Sequence, residues 1–302
     1  MVKCFFGGPT FVAKILPCHA LTAEYQFKKT CELINTLEGC GAKIVCIIND
    51  NNKVNQSFFN TFHKSDPAFP WIAKSPVDNS KPLFLLYDTV HFIKNIRNNW
   101  VSEKSQTLDM PQLTPTTSAE PSVISAKWTR LSELYAEESK TIVKLSQLTK
   151  SSVSPSNIEK QKVSLALNVF SEKTSSALKS SAASNLGWQE TAVFIDHVLR
   201  LWKVFNTKTV IENIRMRDPD RCAVDLSSTG QKPLEILEFW ADCAAKMKPQ
   251  GQRIKTFTKE TWMTFQRLSL ACLVTRRCLC FLLEITSLLN IPISRGIHHK
   301  CL

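Results

Sequence analysis

The first hundred residues alternate between short apolar runs and longer stretches with helical spacing. Val2 to Phe6 and Thr10 to Leu16 are strand-like runs joined by Gly7-Gly8-Pro9, which predicts a hairpin. Thr22 is placed to cap a helix in which Ala23, Phe27, Cys31, Ile34 and Leu37 recur at spacings of four, four, three and three, ended by Gly39 and Gly41. Lys43 to Ile48 reads as a fully buried strand that stops at Asn49-Asp50-Asn51-Asn52. A short helix around Asn55–Phe62, a Pro-rich loop, and a second buried strand at Leu83–Tyr87 follow, the strand ending at Asp88. The order strand, strand, helix, strand, helix, strand predicts a mixed sheet with helices packed on it.

Beyond residue 104 the pattern changes. Ser105 to Ser125 is rich in Ser, Thr and Pro and is expected to be a flexible linker or surface loop. Short helical stripes then follow at Leu131, Leu134 and Tyr135, and at Ile142, Leu145 and Leu148. A longer helix is expected from Pro155 through Val163, Ala166, Leu167 and Phe170, and another through Val193, Phe194, Val198, Leu201, Trp202 and Phe205. Leu234, Leu237 and Ala241 suggest one more, and Thr258 is a candidate cap for a helix carrying Trp262 and Phe265. Aromatic stripes at this spacing are core.

The 302 residues are 43% hydrophobic, which excludes a disordered or fibrous chain. The most apolar stretch, Leu268 to Ile291, carries Arg276, Arg277 and Glu284, too many charges for a membrane-spanning helix. Lys and Arg number 38 against 26 Asp and Glu, a net charge of +12 that favours a polyanionic partner such as DNA. Eleven cysteines show no paired CxxC spacing and no secretory leader precedes them, so reduced, mostly buried thiols in a cytoplasmic or nuclear protein are expected. No phosphate-cradling GxxxxGK[ST] or GxGxxG motif is present.

Asp50 follows directly on a strand, the position where chemistry sits in open α/β sheets. It is either a turn residue or a carboxylate ligand for a divalent metal. In the segment DTVHFIKNIRNNW, Ile93, Ile96 and Trp100 share a helix face, while Lys94 and Arg97 with Asn98 are expected mostly on the other. That face would touch DNA phosphates, or would be a solvated or domain-bridging face. His91 is expected to hydrogen-bond near Asp88 rather than bind metal.

The segment LTAEYQFKKTCELINTLEGCGAKIVCIINDNNKVNQSFF, followed by LFLLYDTVHFIKNIRNNW, LSQLTKSSVSPSNIEKQKVSLALNVFSEKTSSAL, LWKVFNTKT and QGQRIKTFTKETW, closely resembles the P-element-like transposases, including their Thanatos-associated-protein relatives. The resemblance implies an α/β plus all-α fold. An incomplete RNase H-like mixed sheet over residues 1–104 would be followed by a linker at 105–126. A helical GTP-binding-like insertion domain would span 127–270, with a divergent tail at 271–302. It also implies DNA strand cleavage and transfer on two Mg²⁺ ions, with GTP as an assembly cofactor, a nuclear location, DNA as partner and a possible homo-oligomer.

By this resemblance Asp50 matches the family's second catalytic, metal-binding aspartate. The first lies on a strand before the hairpin in which this chain begins, and the last glutamate has no match near the C-terminus. An isolated carboxylate cannot hold two dications, so an inactive, transposase-derived chain is expected. The alternative is a domesticated, non-enzymatic module that binds nucleic acid or protein. For the nucleotide, Asn213 and Asp218 in NIRMRDP are the candidates for reading the guanine edge, and Lys162 and Lys179 for the phosphates.

Overall fold

The computed structural model describes residues 1–3, 10–62, 72–104, 106–111, 123–181, 186–205, 258 and 261. By its internal contacts the chain divides into two units, one of residues 1–47 with 52–85 and the other of residues 48–51 with 86–302.

The first unit begins with the expected hairpin, in shortened form. Strands β1 (Val2–Lys3) and β2 (Thr10–Phe11) pair antiparallel, Val2 opposite Phe11. Helix α1 (Ala23–Gly39) starts where Thr22 Oγ1 accepts the Tyr25 N–H at 3.2 Å. It ends where Gly41, at φ +88°, turns the chain back so that Ala42 N–H reaches the Leu37 carbonyl; a side chain there would be strained. Helix α2 (Lys53–Phe62) packs on α1: the Phe27 and Phe62 rings meet edge-on at 4.6 Å, and Gln26 Nε2 donates to Asn55 Oδ1. Phe58 and Phe59 are wholly buried.

Strands β3 (Cys46–Asn49), β4 (Ile72–Lys74) and β5 (Pro82–Tyr87) form a sheet in the order β3-β5-β4. Phe84 N–H bonds the Val45 carbonyl and Asp88 N–H bonds the Asn49 carbonyl, so β3 and β5 advance together and lie parallel. β4 runs antiparallel to β5, making the sheet mixed. β5 buries Leu83, Leu85 and Tyr87 on one face. The expectation that Lys43–Ile48 is fully buried is corrected, because Ile48 is 62% and Val45 44% exposed. β3 stands at the edge of the described sheet, where each residue has fewer neighbours. β4 lies inside the stretch expected to be only a loop.

The second unit is built around α3 (Thr89–Ser102). Trp100 sits at its centre, with its ring edge-on to Trp128 at 5.1 Å and to Phe194 at 4.8 Å, and stacked at 6.3 Å on Phe170. Its indole N–H donates to the Ala126 carbonyl, and that of Trp128 to the Val153 carbonyl, so the polar atoms of both rings are satisfied inside. Strands β6 (Thr107–Pro111) and β7 (Val123–Lys127) pair antiparallel and turn Leu108, Met110, Ile124 and Ala126 into this core. The expected linker at 105–126 therefore contains two ordered strands.

Helices α4 (Trp128–Glu138), α5 (Lys150–Val153), α6 (Val163–Val169), α7 (Glu172–Ser181) and α8 (Leu186–Phe205) complete the described part. A single 3-10 turn at Glu159–Gln161 replaces the first half of the helix expected from Pro155. The stripe read at Ile142, Leu145 and Leu148 is a loop, with only Leu148 buried. The expected boundary after residue 104 also moves: α3 contributes Phe92, Ile93, Ile96 and Trp100 to the core of the second unit. The helices expected near Leu234 and Trp262 lie outside the described residues, apart from Thr258 and Thr261. There Thr261 N–H reaches Thr258 Oγ1 at 3.4 Å, in the manner of a cap. Among the described residues no helix is long and apolar enough to cross a membrane.

Candidate functional site

Two acids follow the carboxyl ends of the parallel strands. Asp50 comes directly after β3 and is half-buried. Asp88 comes directly after β5, and its N–H bonds the Asn49 carbonyl at 2.8 Å. The strand ends are thus in register, but Asp88 is already engaged. Its Oδ1 accepts the Val90 N–H at 3.0 Å as the N-cap of α3, and its Oδ2 pairs with His91 Nδ1 at 2.8 Å. The reading of His91 as a hydrogen-bond partner fits this contact.

Among the described residues there is no group of three or more His, Cys, Asp or Glu side chains able to hold a metal ion. A divalent cation such as Mg²⁺ needs about six oxygen ligands, several of them carboxylates in a catalytic site. Among the described residues no such set of carboxylates is found at Asp50.

The expected DNA contacts on α3 are corrected. Arg97 is wholly buried and Lys94 is only 7% exposed, so neither is presented to a phosphate backbone. The wheel explains it. Arg97 follows Ile93 by four residues and precedes Trp100 by three, which puts it on the apolar face beside them. Its Nη2 donates to the Lys160 carbonyl at 2.9 Å and lies 3.4 Å from that of Glu159, while Nε donates to Asn98 Oδ1. Asn98 Nδ2 adds a second bond to the Lys160 carbonyl. Together they clamp the 3-10 turn onto α3. Burial alone pushes the guanidinium pKa down from its ordinary value. The same turn is tightened by Glu159, whose carboxylate is held down at about 2 by the Ser151 hydroxyl first, then by the Ser156 N–H and hydroxyl.

Of the nucleotide candidates, Lys162 is exposed immediately before α6. Lys179, on α7, is bound to Asp196 of α8, with Nζ 2.6 Å from Oδ2. Asn213 and Asp218 lie outside the described residues. Ammonium groups of the kind a triphosphate requires are therefore present at the surface of the second unit, but Lys179 would have to share its charge with Asp196.

Sequence reading missed the Arg97 clamp, although its position on the apolar face was legible. It also missed Glu138, which follows Leu131 and Leu134 at helical spacing and lies buried at 8% exposure. The expectation of mostly buried cysteines is corrected among the described residues: Cys18 and Cys40 are exposed and Cys31 and Cys46 half-buried, although partial burial still pushes the Cys46 thiol up to about 12.

Residues 90–217 match the family described as the TNP-like, GTP-binding insertion domain. The match begins inside α3 and runs through both strands of the second unit, in keeping with the core they share. The transposable element P transposase of Drosophila melanogaster is 26% identical over 186 residues, covering 60% of this chain and 22% of that protein. The fold resembles the solved Drosophila P element transposase strand transfer complex at a TM-score of 0.54 and 18% identity, over 82% of this chain and 52% of that one. The chain thus spans about a fifth of the curated relative's length and about half of the solved chain's. Ordered sequence blocks, a family match centred on the helical unit and a shared fold lead to one conclusion: the chain is similar to the P-element transposases, and its residues 90–217 match the GTP-binding insertion domain family.

Proposed function

We propose that this chain is a transposase-derived, GTP-binding protein that works on DNA in the nucleus without cutting it by itself. The observation that carries the reading is the match of residues 90–217 to a GTP-binding insertion domain. GTP supplies negative charge and binding energy for assembly of protein on DNA and is not hydrolysed. Lys162 holds the phosphates, Lys179 joins it on release from Asp196, and Asn213 with Asp218 reads the guanine edge through a bidentate carboxylate.

Residues 1–104 represent a partial RNase H-like domain in which Asp50 occupies the position of one catalytic carboxylate. With no set of metal-holding side chains described around it, no cleavage step is assigned to this chain. The net charge of +12 also supports a second reading, a non-enzymatic module that binds DNA through phosphate contacts.

GTP is expected to raise the melting temperature of the full chain, and Lys162→Ala or Asp218→Ala to reduce the rise. Equal rises in all three proteins would remove those two residues from the site. Metal-dependent cleavage of labelled DNA that is lost in Asp50→Ala would overturn the non-cutting assignment. DNA binding that falls steeply with salt but ignores GTP would favour the second reading.

A further inference from the structure

The turn between α4 and α5 is built to display apolar side chains. Residues 139–147 leave the core after Glu138 and rejoin it at Leu148, both ends buried. The Glu138 carboxylate points inward and closes the loop. Its Oε1 accepts the N–H groups of Leu145 at 3.0 Å and Ser146 at 2.9 Å, and its Oε2 accepts the Ser146 hydroxyl. Thr141 Oγ1 donates across the tip to the Val143 carbonyl at 2.8 Å. A carboxylate removed from water is costly unless its oxygens are bonded, and here three donors from the loop do this. The loop is held in one shape.

At the tip of this frame Ile142 is 103%, Val143 71% and Leu145 59% exposed. Three aliphatic side chains within four positions, presented by a braced loop, contribute nothing to the core. Such clustering marks a contact surface more often than single exposed residues do. Its charge is one-sided as well. Lys140 and Lys144 are exposed on either side of Ile142 and Val143, Lys144 resting over the Tyr135 ring at 5.7 Å, while the loop's anchoring acid faces inward.

We infer that the 139–147 loop docks an acidic amphipathic helix of a protein partner, the aliphatic stripe of the helix covering Ile142, Val143 and Leu145 and its carboxylates meeting Lys140 and Lys144. Apolar burial supplies affinity, and the basic flanks select an acidic partner and speed its approach. The loop is preorganised, so its ordering cost is already met before binding. None of these residues is assigned to the proposed nucleotide site, so failure here leaves that reading untouched.

The test uses a fluorescein-labelled helical peptide with leucine at i, i+3, i+4 and i+7 and glutamate elsewhere. Fluorescence anisotropy is read against the full chain at moderate salt. The paired substitutions Ile142→Asp and Val143→Asp should weaken binding by about 30-fold or more, as loss of a central hot spot does. Ile158→Asp, a change at another exposed aliphatic residue, should leave binding unchanged. Lys144→Glu should weaken the acidic peptide and strengthen a leucine–lysine counterpart. Because the three tip side chains are exposed, the variants should melt like the parent. Equal binding of the two peptides by the parent chain, or binding that survives the paired aspartates, would overturn the inference. So would tip-dependent self-association in sedimentation, which would put a second copy on the loop, or tip-dependent binding to phosphatidylserine vesicles in place of the peptide.

Discussion

Arg97 shows how one side chain can decide a local structure. A guanidinium inside the core is tolerated because Nη2 bonds the Lys160 carbonyl of the 159–161 turn while Nε bonds Asn98 Oδ1, a spread of donors over two partners that a single ammonium cannot copy. Arg97→Met should remove the Nη2 bond to the Lys160 carbonyl, leaving it only Asn98 Nδ2, and cost about 2 kcal/mol in urea unfolding. Arg97→Lys should recover only part of the loss; full recovery would mean that charge rather than the spread of the guanidinium donors matters. Glu159 acts on the same turn from the solvent side. Its folded pKa of about 2 lies below the ordinary carboxylate value, so its stabilising contribution is present above the unfolded pKa and is lost as pH falls through the folded one. Comparison of the chain with Glu159→Gln should therefore show a melting-temperature advantage at neutral pH that fades between about pH 5 and pH 2. An advantage that does not vary with pH would contradict the assigned cause.

At the level of elements, what was legible followed from burial on one face only. The α1 stripe, its Thr22 cap and its glycine end, α2, β5, α3 and the apolar run of α8 were all visible as period or punctuation. The failures have physical causes. β4 is three residues long, too short for any period to register. Leu108 with Met110, and Ile124 with Ala126, alternate as a two-faced hairpin should, but the Ser, Thr and Pro around them read as linker. Ile142 and Leu145 carry helical spacing yet stay in water, because the chain there is closed by Glu138 and not by helical hydrogen bonds. The central element is α3, whose Trp100 meets three aromatic rings. Trp100→Ala should cost about 3–5 kcal/mol and leave a cavity. A loss under about 1 kcal/mol in denaturant unfolding would show that the aromatic cluster is not the keystone of the second unit.

The whole molecule has a positive net charge and two units, with an acid at a strand end in its α/β region and a helical region that matches the GTP-binding insertion domain family. Ordered sequence blocks made the resemblance to the P-element-like transposases legible. The candidate site was legible only as residue types. Asp50 falls where a strand-end acid was expected, the buried Arg97 and Lys94 do not serve DNA, and the guanine-reading pair lies outside the described residues. The helical unit is proposed to bind GTP and to discriminate its base. Isothermal titration calorimetry of the full chain with GTP, and with ATP as its counterpart, tests this directly. Saturable binding of one GTP per chain is expected, with ATP at least about tenfold weaker, since a site built to hydrogen-bond one base edge rejects another. No saturable heat with GTP, or equal affinity for ATP, would contradict it.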